Sequence, residues 1–205
     1  MQIADRTHWI FDMDGTLTVP AHDFAWLHAA LGVPMDVDIL TAIGARPPEQ
    51  QAADIAFIAR WEDEVAGRSE AQADARALLD ALLARGCALG VLTRNTREGA
   101  TRTLAAAGLA RYFADADVVS RDCAPPKPHP GGVTRLLARW GVGANAAVVV
   151  GDWVYDAQAG RAAGTATVLV MRHGPQPWDG EADLFVPSLW DLVAAVGGAV
   201  PSESA

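Results

Sequence analysis

Short apolar segments alternate along the chain with segments in which apolar residues recur at helical spacing. The apolar runs at residues 9–11, 88–92 and 146–150 predict buried strands. Residues 71–84 and 133–140 carry the helical pattern. Because this alternation places helices between successive strands, it predicts an α/β fold with a Rossmann-like parallel sheet and helices on both faces.

Further segments complete this array. We predict strands at 118–119, 167–170 and 184–186, and helices around 101–105, 157–163 and 189–196. Residues 197–205 are expected to form a frayed tail.

The segment between the first and second strands has a different pattern. Three short stretches with helical spacing lie between Asp23 and Ala66, interrupted by glycine and proline. This pattern predicts a small α-helical insertion rather than a continuation of the strand–helix array. We therefore predict a core domain formed by residues 1–19 and 68–205, with a helical cap at residues 20–67.

The composition limits the classes of function. The chain has 205 residues, of which 51% are hydrophobic and 20% are charged, as is ordinary for a globular protein. Its net charge of -9 argues against a general basic field for nucleic acid or an anionic membrane. The two cysteines, Cys87 and Cys123, provide neither a disulfide framework nor a zinc-ligand spacing. With no recognisable targeting or membrane-spanning segment, a cytoplasmic location is expected.

Two carboxylates follow the first predicted strand. The apolar residues 9–11 lead directly into Asp12, Asp14 follows after one residue, and Gly15 marks a sharp turn. Ligands bind beyond the carboxyl ends of the strands in open α/β sheets. Two adjacent carboxylates repel each other unless a cation or a shared proton relieves the repulsion. The motif therefore predicts an acidic site for a divalent metal and for nucleophilic or acid–base chemistry.

Polar residues also follow the later predicted strands. Thr93 ends the second strand, Lys127 lies in the proline-rich loop 125–130, and Asp152 and Asp156 follow the strand at 146–150. Each position alone is commonplace, because strand ends and loops are often polar. Since the carboxyl ends of parallel strands share one edge of a sheet, we expect these four residues to converge with the first motif on one crevice.

Four motifs in this order resemble those of the haloacid dehalogenase superfamily. They are residues 11–16, 91–93, 127–130 and 151–156. The resemblance covers nearly the whole chain. Within the superfamily, it points to the phosphatase branch that carries a small helical cap, as in phosphoglycolate phosphatase-like and β-phosphoglucomutase-like proteins. It implies a Mg²⁺-dependent phosphatase that acts on a small phosphorylated metabolite.

The resemblance assigns roles to the acids. It implies that Asp12 attacks phosphorus and forms an aspartyl phosphate, which divides one difficult displacement into two. Asp14 would protonate the leaving alkoxide and then take a proton from the hydrolytic water. The expected Mg²⁺ ligands are the carboxylates of Asp12 and Asp152 and the backbone carbonyl of Asp14.

The remaining motif residues would bind and balance the phosphoryl group. Thr93 would donate its hydroxyl to a phosphoryl oxygen, joined by the backbone N–H groups of Arg94 and Asn95 at the start of a helix. Lys127 would hold the nucleophile ionised and offset charge in the transition state. Asp156 is expected to orient Lys127 or a metal-bound water.

The predicted cap would select the leaving group. We predict Arg46 as a substrate contact, with a solvated loop cation as the alternative, and His22, Trp26, His28 and Trp61 as other candidates.

Trp153 of the fourth motif and Arg94, which follows the second motif, have two interpretations each. Trp153, where many relatives carry a small polar residue, either packs beneath the cap or shapes the leaving-group pocket. Arg94 either meets a second anionic group of the substrate or lies exposed at the start of a helix.

The sequence also leaves other functions open. A phosphomutase acting on a sugar phosphate shares all the core residues, whereas a dehalogenase has no need of a cation. A non-catalytic phosphoaccepting or binding module is the alternative from another class, although a receiver module would carry its phosphorylated aspartate on a middle strand. The expected partner is a small-molecule phosphate monoester, with neither nucleic acid nor membrane, and both monomer and homodimer are open.

Overall fold

A parallel sheet of six strands lies at the centre of the computed structural model, which describes residues 3–20, 23–172, 174, 176–178 and 180–201. The strands are β1 (His8–Phe11), β2 (Ala88–Leu92), β3 (Val118–Val119), β4 (Ala147–Gly151), β5 (Ala166–Val170) and β6 (Leu184–Val186). Their order in the sheet is β3-β2-β1-β4-β5-β6, and every neighbouring pair is parallel. The predicted α/β fold with a parallel sheet is confirmed. The end of the predicted tail, residues 202–205, lies outside the described residues.

Strand β1 lies between β2 and β4, so the direction of winding reverses beside it. Trp9, for example, pairs with Leu89 on one side and with Val148 on the other. In open sheets of this order, ligands bind in the crevice beyond the strand ends at the point of reversal. This topology brings the residues that follow β1 and β4 side by side.

Helices cover both faces of the sheet. They are α1 (Phe24–Leu31), α2 (Ile39–Gly44), α3 (Pro48–Ala66), α4 (Ala73–Ala84), α5 (Arg97–Ala106), α6 (Gly131–Trp140), α7 (Val154–Ala162) and α8 (Leu189–Ala195). Alternate residues of β1 point to opposite faces: Trp9 and Phe11 are buried with α4, α5 and α8, whereas Ile10 is buried with α6 and α7. None of the described helices has the length and apolar character needed to cross a membrane.

Helices α1 to α3 lie within the predicted cap. They share a separate apolar cluster, formed by Leu27, Leu31, Val33, Ile43 and Ile58. The chain leaves and re-enters the core through paired segments, in which the Val19 N–H donates to the Glu70 carbonyl at 2.9 Å. This pairing supports the predicted domain boundaries at residues 19/20 and 67/68, which stay predictions.

Candidate active site

Three carboxylates meet beyond the carboxyl ends of β1 and β4. Asp12 directly follows β1, and its backbone N–H donates to the Val150 carbonyl at 2.8 Å, which extends the strand pairing into the site. Asp152 follows β4, and Asp156 lies in the first turn of α7. Oxygen atoms of Asp12, Asp152 and Asp156 all lie within 4.8 Å of one another. The sheet order thus brings Asp12 into one acidic cluster with two acids that lie far along the sequence.

Lys127 is the buried counter-charge of this cluster. Its Nζ atom donates to Asp12 Oδ1 at 2.5 Å and to Asp156 Oδ1 at 2.6 Å. The Lys127 side chain is only 4% exposed, so the ion pairs are shielded from solvent. The proline-rich loop that carries it therefore delivers one cation to the end of β1.

Burial and charge shift the pKa values of these groups. Burial raises the pKa of Asp12 well above its usual value; Lys127 opposes this rise, and the neighbouring acids reinforce it. The pKa of Asp152 is raised to about 6, mainly by burial and secondly by repulsion from Asp156. Burial lowers the pKa of Lys127, but attraction to Asp12 and Asp156 outweighs it and raises the pKa above its usual value. Burial is thus the main cause of the raised pKa values of the two acids, and repulsion among the carboxylates adds to it.

Two glycines make the close packing of these acids possible. Gly15 has a φ of 87°, a region that favours glycine, and a Cβ atom there would overlap the Asp152 carboxylate. A Cβ atom at Gly151 would likewise overlap Asp156. Thr16, from the same turn as Gly15, donates its hydroxyl to Asp152 Oδ1 at 3.2 Å. The turn after Asp14 is thus built around the position of Asp152.

Thr93 and Asn95 lie on the other side of Asp12, at the end of β2. The Thr93 N–H donates to the Val119 carbonyl at 3.0 Å, so strand pairing holds this residue. The Asn95 N–H, predicted to bind phosphate, donates to Thr93 Oγ1 at 3.1 Å. The Asn95 side chain donates from Nδ2 to Asp14 Oδ2 at 2.9 Å, a contact that sequence reasoning missed.

The donor set of the acidic cluster suits a hard divalent cation, because such ions prefer carboxylate oxygens. Both oxygens of Asp156 already accept hydrogen bonds, one from Lys127 and one from the Trp153 N–H at 3.1 Å. Asp12 and Asp152 are therefore the better candidates for metal ligands. The backbone carbonyl of Asp14 stays the predicted third ligand.

A cavity of about 420 Å³ opens between the predicted cap and the core. It is lined by Asp38, Leu40, Thr41, Arg94, Pro126, Lys127, Pro128 and His129. Arg94 Nη2 lies 2.5 Å from Asp38 Oδ2, and the Arg94 guanidinium stacks over the Tyr155 ring at 5.1 Å. Arg94 thus joins core to cap instead of lying exposed at the start of α5. Asp38 was missed, and its one sequence signal is that of a helix N-cap.

The structure does not bring Arg46 to the candidate site. Its guanidinium donates to Asp54 Oδ2 and to the Leu31 carbonyl, each at 2.7 Å, and both partners belong to the predicted cap. Arg46 is also not among the described residues that line the cavity. A guanidinium with these two partners stabilises the cap from within, and this replaces the sequence-based expectation of a substrate contact.

Three of the other cap candidates, Trp26, His28 and Trp61, have partners within the cap. His28 Nδ1 contacts the Val33 carbonyl at 3.2 Å. The rings of Trp26 and Trp61 stack with a centroid distance of 6.3 Å. His22 lies outside the described residues.

Trp153 directly follows Asp152 and is 52% exposed. Its ring packs against Trp178 in a T-shaped arrangement with a centroid distance of 4.7 Å. Both tryptophans line a cavity of about 80 Å³ beside Gly15 and Asp152. Among the described residues that line the larger cavity beneath the cap, Trp153 is absent.

Comparisons with known proteins agree on one family. The sequence model of the haloacid dehalogenase-like hydrolases matches residues 8–164. A haloacid dehalogenase-like hydrolase domain-containing protein of Arabidopsis thaliana is 30% identical over 181 residues, which cover 81% of this chain and 72% of that protein. A phosphoglycolate phosphatase of Rhodospirillum rubrum is 40% identical over 119 residues, which cover 58% of this chain and 48% of that enzyme. This chain therefore spans about half the length of that relative.

A solved structure supports the same fold. The crystal structure of a hydrolase from Pseudomonas syringae superposes with a TM-score of 0.76 at 23% identity, covering 92% of this chain and 97% of that one.

Proposed function

Because the chain belongs to the haloacid dehalogenase-like hydrolase family, we propose that it is a Mg²⁺-dependent phosphatase that hydrolyses a small phosphate monoester through an aspartyl phosphate on Asp12. The observation that carries this proposal is the buried Lys127 ammonium between Asp12 and Asp156, with Asp152 adjacent. This arrangement balances part of the charge on a carboxylate that would attack an anionic ester. The relative named phosphoglycolate phosphatase supports the same class of substrate.

The acidic cluster would hold Mg²⁺ through the carboxylates of Asp12 and Asp152 and the Asp14 carbonyl. When bound, the cation supplies positive charge that reduces the repulsion between the nucleophile and the phosphoryl oxygens. Repulsion from neighbouring carboxylates adds to the effect of burial in raising the pKa values of Asp12 and Asp152, and a bound cation would relieve that repulsion.

In the first step, Asp12 forms a bond to phosphorus as the bond to the leaving oxygen breaks. Lys127 favours the ionised form of Asp12 and offsets charge that develops on the phosphoryl group. Asp14 donates its proton to the leaving oxygen, and the alcohol departs. The products of this step are the aspartyl phosphate and ionised Asp14.

In the second step, Asp14 takes a proton from the attacking water. The new bond from water to phosphorus forms as the bond to Asp12 breaks, which regenerates the Asp12 carboxylate and releases phosphate. Asn95 holds the Asp14 carboxylate through a hydrogen bond of 2.9 Å in this proposal. Asp14 thus acts first as an acid and then as a base.

The position of Thr93 supports a role in phosphate binding. It lies at the carboxyl end of β2, directly beside β1 and Asp12. Its hydroxyl would donate to a phosphoryl oxygen, while the Asn95 N–H orients that hydroxyl by donating to Oγ1.

The cavity of about 420 Å³ is the candidate site for the leaving group, because Lys127 lies in its wall and the cap covers it. Its volume suits a compact substrate. Leu40 and the two prolines make part of the wall apolar, whereas Arg94 and Asp38 place an ion pair in it.

Phosphate release from p-nitrophenyl phosphate tests the proposal. The wild-type protein should release phosphate with Mg²⁺ and not after chelation, and Asp12→Asn should abolish turnover. Asp63→Asn is the matched control, because this half-exposed cap aspartate pairs with Arg102 of α5 and should retain activity. Equal rates for Asp12→Asn and wild type would exclude the proposed nucleophile. Transfer to a sugar hydroxyl without net phosphate release would instead identify a phosphomutase.

A further inference from the structure

Arg121 connects the predicted cap to the loop that follows β2. Its Nη1 atom donates to Glu62 Oε1 of α3 at 2.6 Å and to the Arg94 carbonyl at 2.9 Å. Its own backbone N–H donates to the Asn95 carbonyl at 3.1 Å. The Arg121 and Glu62 side chains are 10% and 6% exposed, so this connection is largely shielded from water.

The loop held by Arg121 carries the side chain that contacts the proposed acid. Asn95 donates from Nδ2 to Asp14 Oδ2 at 2.9 Å. Thr93 in the same loop is held separately, because its N–H is bound by the Val119 carbonyl at the strand end. The Asn95 N–H also donates to Thr93 Oγ1 at 3.1 Å, but strand pairing anchors the Thr93 backbone. A change at Arg121 should therefore move the Asn95 side chain more than it moves Thr93.

We propose that Arg121 is a positioning residue that sets the proposed general acid Asp14 through Asn95, with Glu62 of the cap holding the guanidinium in place. This inference rests on the phosphatase function proposed above. The connection runs from Glu62 through Arg121 to the backbone of Arg94 and Asn95, and from the Asn95 amide to Asp14. This connection makes proton donation by Asp14 depend on the position of the cap relative to the core.

The leaving group provides a readout specific to this role. An alkyl phosphate releases a basic alkoxide that requires a proton in the transition state, whereas p-nitrophenolate departs without one. A misplaced Asp14 therefore slows alkyl esters and spares p-nitrophenyl phosphate. The ratio of kcat/KM for the two substrates reports this difference, because kcat/KM covers the step in which the leaving group departs.

Two variants keep the test independent of folding. Arg121→Lys retains a positive charge near Glu62 but lacks Nη1, the atom that donates both to Glu62 and to the Arg94 carbonyl. The double variant Arg121→Gln with Glu62→Gln removes both buried charges together. Arg102→Lys is the matched control, because Arg102 pairs α5 with Asp63 of α3 at a half-exposed position.

We expect kcat/KM for glycerol 2-phosphate to fall by about tenfold or more in both Arg121 variants, a fraction of the full contribution of general acid catalysis. The value for p-nitrophenyl phosphate should change by less than about threefold. Arg102→Lys should match wild type with both substrates. An equal fall with both substrates, or no fall with either, would overturn the inference while wild-type turnover leaves the proposed function intact. Absence of turnover in wild type would overturn both.

A double-mutant cycle with Asn95→Ala tests the route of the effect. If Arg121 acts through Asn95, adding Arg121→Lys to Asn95→Ala should not lower the alkyl-to-aryl ratio further. Independent, multiplying effects on that ratio would contradict this route.

Discussion

Lys127 Nζ lies 2.5 Å from Asp12 Oδ1, so the candidate nucleophile is paired with a buried cation at the end of β1. The same ammonium contacts Asp156 at 2.6 Å. One positive charge therefore serves two carboxylates inside the protein, and Asp152 lies beside them. Because buried charges are costly without partners, this pairing governs both the stability of the site and its chemistry.

Lys127→Met should destabilise the protein at neutral pH, because it leaves Asp12 and Asp156 buried without a counter-charge. We expect a loss of about 3 kcal/mol in the free energy of unfolding, measured with urea at pH 7.5. The loss should shrink at lower pH as the carboxylates take up protons. Arg102→Met, at a half-exposed ion pair, should cost less than about 1 kcal/mol. Equal losses in the two variants would contradict this prediction.

Asp152→Asn should stabilise the metal-free protein above pH 6. The folded state raises the pKa of Asp152 to about 6 from 3.8, so the folded protein binds this proton more tightly than the unfolded chain. The associated stability is present below about pH 4 and is lost as pH rises through about 6. The loss is on the order of 3 kcal/mol.

The difference between wild type and Asp152→Asn isolates this contribution from that of other acids. Urea unfolding across this pH range should show the wild type losing stability relative to the variant as pH rises. Added Mg²⁺ should then stabilise the wild type and have little effect on the variant. A difference that does not vary with pH would contradict the raised pKa of Asp152, and an equal response to Mg²⁺ would count against Asp152 as a metal ligand.

Gly15→Ala should disrupt the site more than its backbone strain alone explains. Gly15 has a φ of 87°, and an added Cβ would overlap the Asp152 carboxylate. Gly32→Ala is the matched control, since Gly32 has a φ of 63° with no heavy atom within 4 Å of an added Cβ. The control should cost about 1 to 2 kcal/mol through strain and keep full activity. Gly15→Ala should cost more and lose turnover, as measured by thermal unfolding and phosphate release; retained activity would contradict the tight packing around Asp152.

Much of the fold was predictable because strands buried on both faces leave continuous apolar runs. The run predicted at 88–92 coincides with β2. Helix α3 was less predictable: periodicity indicated a short helix, whereas the structure extends it over Pro48–Ala66. Pro48 is favourable in the first turn, and the last turns contain buried Glu62, whose partner Arg121 is distant in sequence. A pattern of apolar residues does not reveal such a pairing.

Site residues at the strand ends were also accessible from the sequence, since a parallel sheet gathers these ends at one edge. Asp12, Thr93 and Asp152 lie there because strand order alone places them. Contacts between cap and core depend instead on how helices dock, which residue spacing does not encode. For this reason Arg46 was expected at the substrate, whereas the cap residues that line the cavity are Asp38, Leu40 and Thr41.

Asp38→Asn should shift selectivity toward leaving groups that carry a second negative charge. Asp38 neutralises Arg94 at 2.5 Å in the cavity wall, so removing its charge makes the guanidinium available to an anionic substrate group. We expect kcat/KM for phosphoglycolate to rise several-fold relative to glycerol 2-phosphate. Asp23→Asn is the matched control, because Asp23 and Asp38 both accept a backbone N–H at the start of a cap helix. An unchanged ratio, or the same change in both variants, would contradict a role for the pair in selectivity.

The most direct test of the central claim is to identify the phosphorylated residue by mass spectrometry. Asp14→Asn retains the nucleophile but lacks the base for the second step, so p-nitrophenyl phosphate should load the protein and the phosphoryl group should accumulate. After acid quenching, we predict the added mass of one phosphoryl group on the peptide that contains Asp12, and none in the Asp12→Asn, Asp14→Asn double variant. A phosphoryl group on another residue, or an unmodified Asp14→Asn protein beside an active wild type, would contradict the account.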